Sequence, residues 1–239
     1  VSRTGYTLNG WYTATSGGAE ITDATTVNIT ANQTLYAQWS VVTYNITYNL
    51  DGGTNGANPA GYNIETSTIT LKDATKTGYT FAGWWDAPAG GTQVTQIVLG
   101  STGNKTLYAR WTPNTKTAYK VEHYQQDVSG SGYTLKDTDN LTGTTATAAT
   151  ASAKSYTGFT ENTSHGSRVA SGTIAADGSL VLKLYYDRNS YTVTFDANGG
   201  GTPSPASKSV TYAGTYGTLA TVSRTGYTLN GWYTATSGG

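Results

Sequence analysis

The chain contains no cysteine. Disulfides, thiolate metal sites and cysteine nucleophiles are therefore excluded. Charge is scarce too. Lys and Arg number 14, Asp and Glu number 14, and together they make up 12% of the residues. That is about half the usual share, and it cancels to a net charge of zero. Without a basic excess there is no footprint for nucleic acid and no polybasic patch for an anionic membrane surface. No run approaches the roughly 18 apolar residues of a spanning helix, so no membrane insertion is expected from this segment. Methionine is absent, even at position 1, and neither a signal peptide nor a sorting tail can be read. The chain starts inside a repeat, so such segments are expected to lie outside these 239 residues.

What is abundant is threonine, the commonest residue, with 30 glycines and 19 tyrosines. Thr, Tyr, Val and Ile suit pleated, half-buried surfaces, and Gly supplies turns. The expected class is mainly β.

Repetition organises the chain. Val1 to Gly18 recurs letter for letter as Val222 to Gly239, an offset of 221 residues. A looser repetition lies inside it. Thr4-Gly5-Tyr6-Thr7-Leu8-Asn9-Gly10-Trp11 matches Thr77-Gly78-Tyr79-Thr80-Phe81-Ala82-Gly83-Trp84, and Leu35-Tyr36-Ala37-Gln38-Trp39 matches Leu107-Tyr108-Ala109-Arg110-Trp111. Tyr44-Asn45-Ile46-Thr47-Tyr48 with Asp51-Gly52-Gly53 matches Tyr191-Thr192-Val193-Thr194-Phe195 with Asn198-Gly199-Gly200. The spacing predicts modules of about 70 residues, each short enough to have a marginal core. Residues 41–113 form a complete copy. Residues 1–40 are the C-terminal half of a copy and 190–239 the N-terminal half of the next, so the chain reads as a window on a longer array. Residues 114–189 follow the same plan more loosely, from Tyr119-Lys120-Val121-Glu122-His123-Tyr124 to Leu180-Val181-Leu182-Lys183-Leu184-Tyr185-Tyr186.

Tyr44, Ile46, Tyr48 and Leu50 alternate with polar residues, as do Tyr191, Val193 and Phe195, which predicts half-buried strands. Gly10 marks an expected bulge or close packing. The Ala-rich stretch from Thr147 to Lys154 is the best helix candidate, and Asn58–Tyr62 and Pro205–Gly214 are each expected to hold a helical turn. Links between modules are short, which predicts a semi-rigid string or filament.

The ordered pattern G-Y-T-[LF]-x-G-W followed by L-Y-A-x-W resembles the Listeria–Bacteroides repeat, the B repeat of internalin-like surface proteins. The resemblance covers 1–40, 41–113 and 190–239. Residues 114–189 resemble mucin-binding-protein (MucBP) domains more weakly. The resemblance implies tandem β-grasp-like (ubiquitin-like) modules, an extracellular or cell-surface location, and a role in adhesion or spacing. It brings no catalytic residues to carry over.

The residues themselves point away from catalysis. His123 takes the strand position of Tyr48 and Phe195, and reads as a partly buried core histidine; His165 sits in a polar loop and reads as solvated. Asp137-Thr138-Asp139-Asn140 lacks the Gly and distal Glu of a calcium loop. A Lys–Asn isopeptide bond near Lys120, Lys183 and Glu122 needs a buried lysine. No enzyme, cofactor or metal site is expected. The aromatics are the binding material, since their faces stack on sugars and anchor protein interfaces. Tyr36, Tyr108, Trp85 and Tyr185 are the candidates for an outer face. Two functions follow. One is a stalk or filament segment whose partners are copies of itself, the two half-modules completing one another head to tail. The other is an adhesin module binding mucin-type glycans or host surface proteins.

Overall fold

The computed structural model describes residues 1–236, and every described element is a β-strand, turn or loop. The chain divides into two compact units, Val1–Asn114 and the part from Thr115 onward.

In the first unit, β1 (Tyr6–Tyr12), β2 (Glu20–Ile21) and β3 (Tyr36–Val41) form an antiparallel sheet in the order β2-β1-β3. The register slips by one residue between Leu8 and Gly10, the bulge that glycine predicted. The complete module follows: β4 (Thr43–Asn49), β5 (Gly61–Asn63), β6 (Ile69–Thr70), β7 (Tyr79–Trp85), β8 (Gln93–Val94), β9 (Gln96–Ile97) and β10 (Lys105–Pro113). Its main sheet runs β5-β4-β10-β7-β8, and β6 pairs with β9 beside it. The first and last long strands, β4 and β10, lie parallel at the centre, Ile46 opposite Lys105.

Alternation places Ile46 from β4, Trp84 from β7 and Leu107 and Ala109 from β10 in one core with Tyr62, Leu71, Ala74 and Ile97. Trp84 is 2% exposed. Tyr48 and Phe81 meet its indole edge-on, at 5.0 and 5.4 Å, and its Nε1–H donates to the Lys72 carbonyl at 2.9 Å. Burying that ring while satisfying its one donor is what a small core needs from tryptophan.

The second unit begins with β11 (Thr117–Gln126), β12 (Tyr133–Gly143), β13 (Ala148–Thr150), β14 (Phe159–Glu161), β15 (Ser171–Thr173) and β16 (Val181–Arg188). The sheet order is β12-β11-β16-β14, with β11 and β16 parallel, and β13 pairs with β15. This is the plan of the complete module again: second strand, first, last, third. The core is Val121, Ala149, Ile174, Leu182, Leu184 and Tyr186. The unit ends with a two-stranded ribbon, β17 (Ser190–Thr194) against β18 (Ser207–Thr211).

Three helix expectations are corrected. Thr147–Lys154 holds β13, whose Ala149 is buried against Gly172 and Leu182, because Ala between threonines fits a pleat as readily as a helix. Pro205–Gly214 contains β18, and Asn58–Tyr62 leads into β5.

Candidate functional site

Three features of the chain carry chemistry: the outer-face aromatics, a buried polar network, and two sheet edges.

On the complete module, Tyr108 lies opposite Trp85, both half-buried and pointing away from the core occupied by Leu107 and Trp84. Arg110 places its guanidinium carbon 3.9 Å from the centre of the Trp85 ring. One of its terminal nitrogens donates to the Ala87 carbonyl at 3.0 Å and to the Gly90 carbonyl. The same sequence position in residues 1–40 is Gln38, whose amide donates to Ala14 and Gly17 carbonyls at 3.1 and 2.7 Å. The variable residue of L-Y-A-x-W is thus a clamp on the hairpin loop facing it. Nothing in its spacing signalled this, because the carbonyls that Arg110 and Gln38 reach from their strands lie in a loop without periodicity. Tyr36 is 38% exposed on β3, opposite Tyr12.

Tyr185 does not lie on an open face: it is 8% exposed. Tyr124 stacks on it at 5.1 Å, His165 stacks at 3.8 Å, and Tyr133 meets it edge-on at 5.3 Å. His165 is correspondingly half-buried on Tyr185 rather than solvated. The phenols around this stack are also engaged. Tyr133 donates to Asp187 at 2.5 Å and Tyr124 to Glu122 at 2.6 Å. The Glu122 bond, followed by burial, pushes the Tyr124 phenol up to about 12.

His123 is fully buried, in the strand slot expected for it. The Lys154 amide donates to the Tyr186 hydroxyl at 2.9 Å. The same hydroxyl lies 3.0 Å from His123 Nδ1, and His123 Nε2 lies 3.2 Å from Asp139, whose carboxylate only accepts, so the proton on Nε2 faces Asp139. Lys154 Nζ lies 2.6 Å from the other Asp139 oxygen, and Tyr156 donates to Asp137 at 2.7 Å. The Lys154 bond holds the Asp139 carboxyl below its usual range, against a smaller opposing effect of burial. Asp137 and Asp139, one face of β12, are thus taken up by a lysine and a tyrosine. Among the described residues no cluster of His, Cys, Asp and Glu is arranged to hold a metal. Lys183 is partly exposed, 3.9 Å from Glu122, and lacks the burial an isopeptide bond needs.

Residues 1–40 and 190–236 carry the sheet edges. β3 has β1 on one side, and β17 has β18; among the described residues no strand lies along the other side of either. Next to β17 lies an open cavity of about 1040 Å³, lined by Val193, Phe195, Leu219, Tyr227, Leu229 and Trp232 among others. Only part of a core is present there. Phe195 is buried and meets Trp232 at 4.8 Å, and the Trp232 indole donates to Ala220 at 2.9 Å. Ala220 precedes Trp232 by twelve positions, as Lys72 precedes Trp84. Trp11, the third copy of this residue, is 42% exposed.

The Listeria-Bacteroides repeat domain family matches residues 1–38, 44–110 and 191–239. The chain belongs to this family. Internalin H of Listeria monocytogenes is 36% identical over 122 residues, covering 47% of this chain and 20% of its own length. A protein of Evansella cellulosilytica described as a Gly-rich membrane protein is 26% identical over 249 aligned positions, covering 98% of this chain and 28% of its own. The chain therefore spans less than a third of these relatives. No solved structure matches it significantly. No helix among the described residues is long and apolar enough to cross a membrane.

Proposed function

We propose that the chain is a structural segment of a bacterial cell-surface or extracellular stalk, built from 221-residue units in which each half-module is completed by its neighbour. The observation that carries this reading is the strand order. Setting β18-β17 against β3-β1-β2 reproduces β5-β4-β10-β7-β8 strand for strand. The edges that would meet are those of β17 and β3, and they would form the central parallel pair, as β4 and β10 do. Two unpaired edges are a liability that completion removes.

Repetition favours one continuous polypeptide over end-to-end docking of separate chains. Residues 1–15 and 222–236 are identical and both belong in the place of β7. Separate chains would bring that strand twice, and a tandem chain brings it once. A central parallel pair flanked by the second and third strands is the β-grasp plan without its helix. The shared order of β12-β11-β16-β14 supports reading 114–189 as a MucBP-like relative of the other modules. Similarity to Internalin H supports the surface location.

Adhesion through aromatics draws less support. Tyr185 is covered, and Arg110 occupies one face of Trp85, which leaves Tyr36 and Tyr108. Small-angle scattering on chains of one, two and three units tests the stalk: the longest dimension is expected to rise in proportion to unit number, with a blank glycan array. Glycan binding that disappears on Tyr108→Ala, or a dimension that does not grow, overturns it.

A further inference from the structure

The same joint is built at two places where one module runs into the next, and its backbone half recurs at a third, where Asn114 N–H donates to the carbonyl of Gly78 (φ +75°) at 2.9 Å. Its parts are defined by register. In the first, Tyr6 of β1 pairs with Val41 at the end of β3, and the next amide, Val42 N–H, donates to the Gly5 carbonyl at 2.9 Å. In the second, Phe159 of β14 pairs with Arg188 at the end of β16, and the next amide, Asn189 N–H, donates to the Gly158 carbonyl at 2.8 Å. Gly5 and Gly158 have φ of +77° and +78°.

Each glycine faces one residue of the following module. A Cβ at Gly5 would stand 2.8 Å from two Ile64 side-chain carbons, and a Cβ at Gly158 would overlap the Tyr212 ring. Ile64 and Tyr212 are equivalent. Thr43 pairs with Asn63 and Ser190 with Thr211, so each is the first residue beyond the second strand of its module. The corners are braced differently. Tyr6 donates its hydroxyl to the Glu65 carboxylate, and the Asn63 side chain accepts the Glu65 amide at 2.9 Å. At the second joint Arg188 donates to the Tyr212 carbonyl at 2.6 Å and to the Val128 carbonyl at 2.8 Å, and Phe159 meets the Tyr212 ring edge-on at 5.7 Å. One backbone device is kept while its side-chain braces differ.

Gly226 repeats the Gly5 turn. Its φ is +79°, Tyr227 N–H donates to Arg224 O at 3.0 Å, and Arg224 lies over the Tyr227 ring as Arg3 lies over Tyr6. Apart from its own chain neighbours, no atom of the described residues stands within 4 Å of a Cβ built at Gly226, and Tyr227 is 68% exposed.

We propose that the turn glycine is a socket for the residue beyond the second strand of the next module, and that the surface formed by Gly226 and Tyr227 takes the Ile64–Glu65 corner of a second copy of residues 41–113. The second half of this proposal rests on the array reading; the first half does not. A side chain at the socket would push the modules apart, which is why this backbone must be glycine for two reasons, space and positive φ.

Amide exchange on the full chain tests it. Ile64→Ala should speed exchange at Val42 about tenfold or more, and Tyr212→Ala should do so at Asn189, while Leu107 and Leu182 keep wild-type protection. Unchanged exchange at Val42 and Asn189 overturns the socket. In a two-unit chain Gly226→Val should free the second copy's equivalent of Val42. If it does not, while β17 in that chain has gained protection, the second-copy joint fails and the array reading stands. If β17 has not gained protection either, both fail.

Discussion

Residues 6–12 and 227–233 are the same seven letters, Y-T-L-N-G-W-Y, in two different states. The first is β1, with β3 on one side and β2 on the other. The second forms no strand, although the Arg–Tyr turn that precedes it is intact. The difference lies downstream. Leu35-Tyr36-Ala37-Gln38-Trp39 follows the first copy and supplies its partner strand; no such partner lies beside the second among the described residues. Local turn geometry is thus written in the eighteen letters, and strand identity is not. A pleated segment is stable only once its cross-strand pairs exist.

The tryptophan of that stretch extends the lesson. Its three copies are nearly enclosed in Trp84, half-buried in Trp232 and 42% exposed in Trp11. The largest expected effect follows from this. Trp84→Ala should destabilise its module by about 3–5 kcal/mol, the cost of a cavity plus lost transfer energy. Trp11→Ala should cost less than about 1 kcal/mol. Amide exchange of β10 and β3 in the full chain measures both, and equal costs would break the comparison.

Next in size is the third module, where a polar network does part of what aromatics do in the complete repeat. Tyr186→Phe should cost about 1–3 kcal/mol, because the Lys154 amide and His123 Nδ1 both lose their partner in the core. Exchange at Leu182 and Leu184 is the readout. Below it comes the loop clamp. Arg110→Ala should loosen residues 86–92 at a cost of about 1 kcal/mol, and Gln38→Ala should do the same to residues 13–19 more weakly, since a charged donor is lost in one case and a neutral one in the other.

The smallest effect is acid loss of stability. Asp139 has its folded-state pKa lowered, with the Lys154 bond as the main cause. A lowered carboxylate contributes stability that is present above its unfolded value, about 4, and is lost as pH falls through the folded value. The third module should therefore weaken below pH ~4, and Asp139→Asn should flatten that part of its stability–pH curve.

How much of this was legible depended on whether the signal was local. Alternation in Tyr44-Asn45-Ile46-Thr47-Tyr48 announced β4, and Asp51-Gly52-Gly53 announced its turn, where Asp51 and Gly52 both have positive φ. Gly10 announced the bulge. The Ala-rich stretch misled, because propensity says nothing of the β15 strand that pairs with it. Tyr185 was expected on an open face because strand parity separates it from Tyr186. Parity cannot reveal that a loop folds His165 back over the outer side. Ile64 and Tyr212 were invisible for a similar reason: a residue just beyond a strand has no periodicity to betray its contact.

On the proposed reading the two half-modules are one module divided. The most direct measurement is amide exchange on the 239-residue chain extended at its C-terminus by a copy of residues 19–40, which supplies the missing last strand. Residues 227–233 and the free edge of β17 should then gain about a hundredfold in protection and approach the levels of β7 and β4. Protection unchanged from the unextended chain would contradict the account.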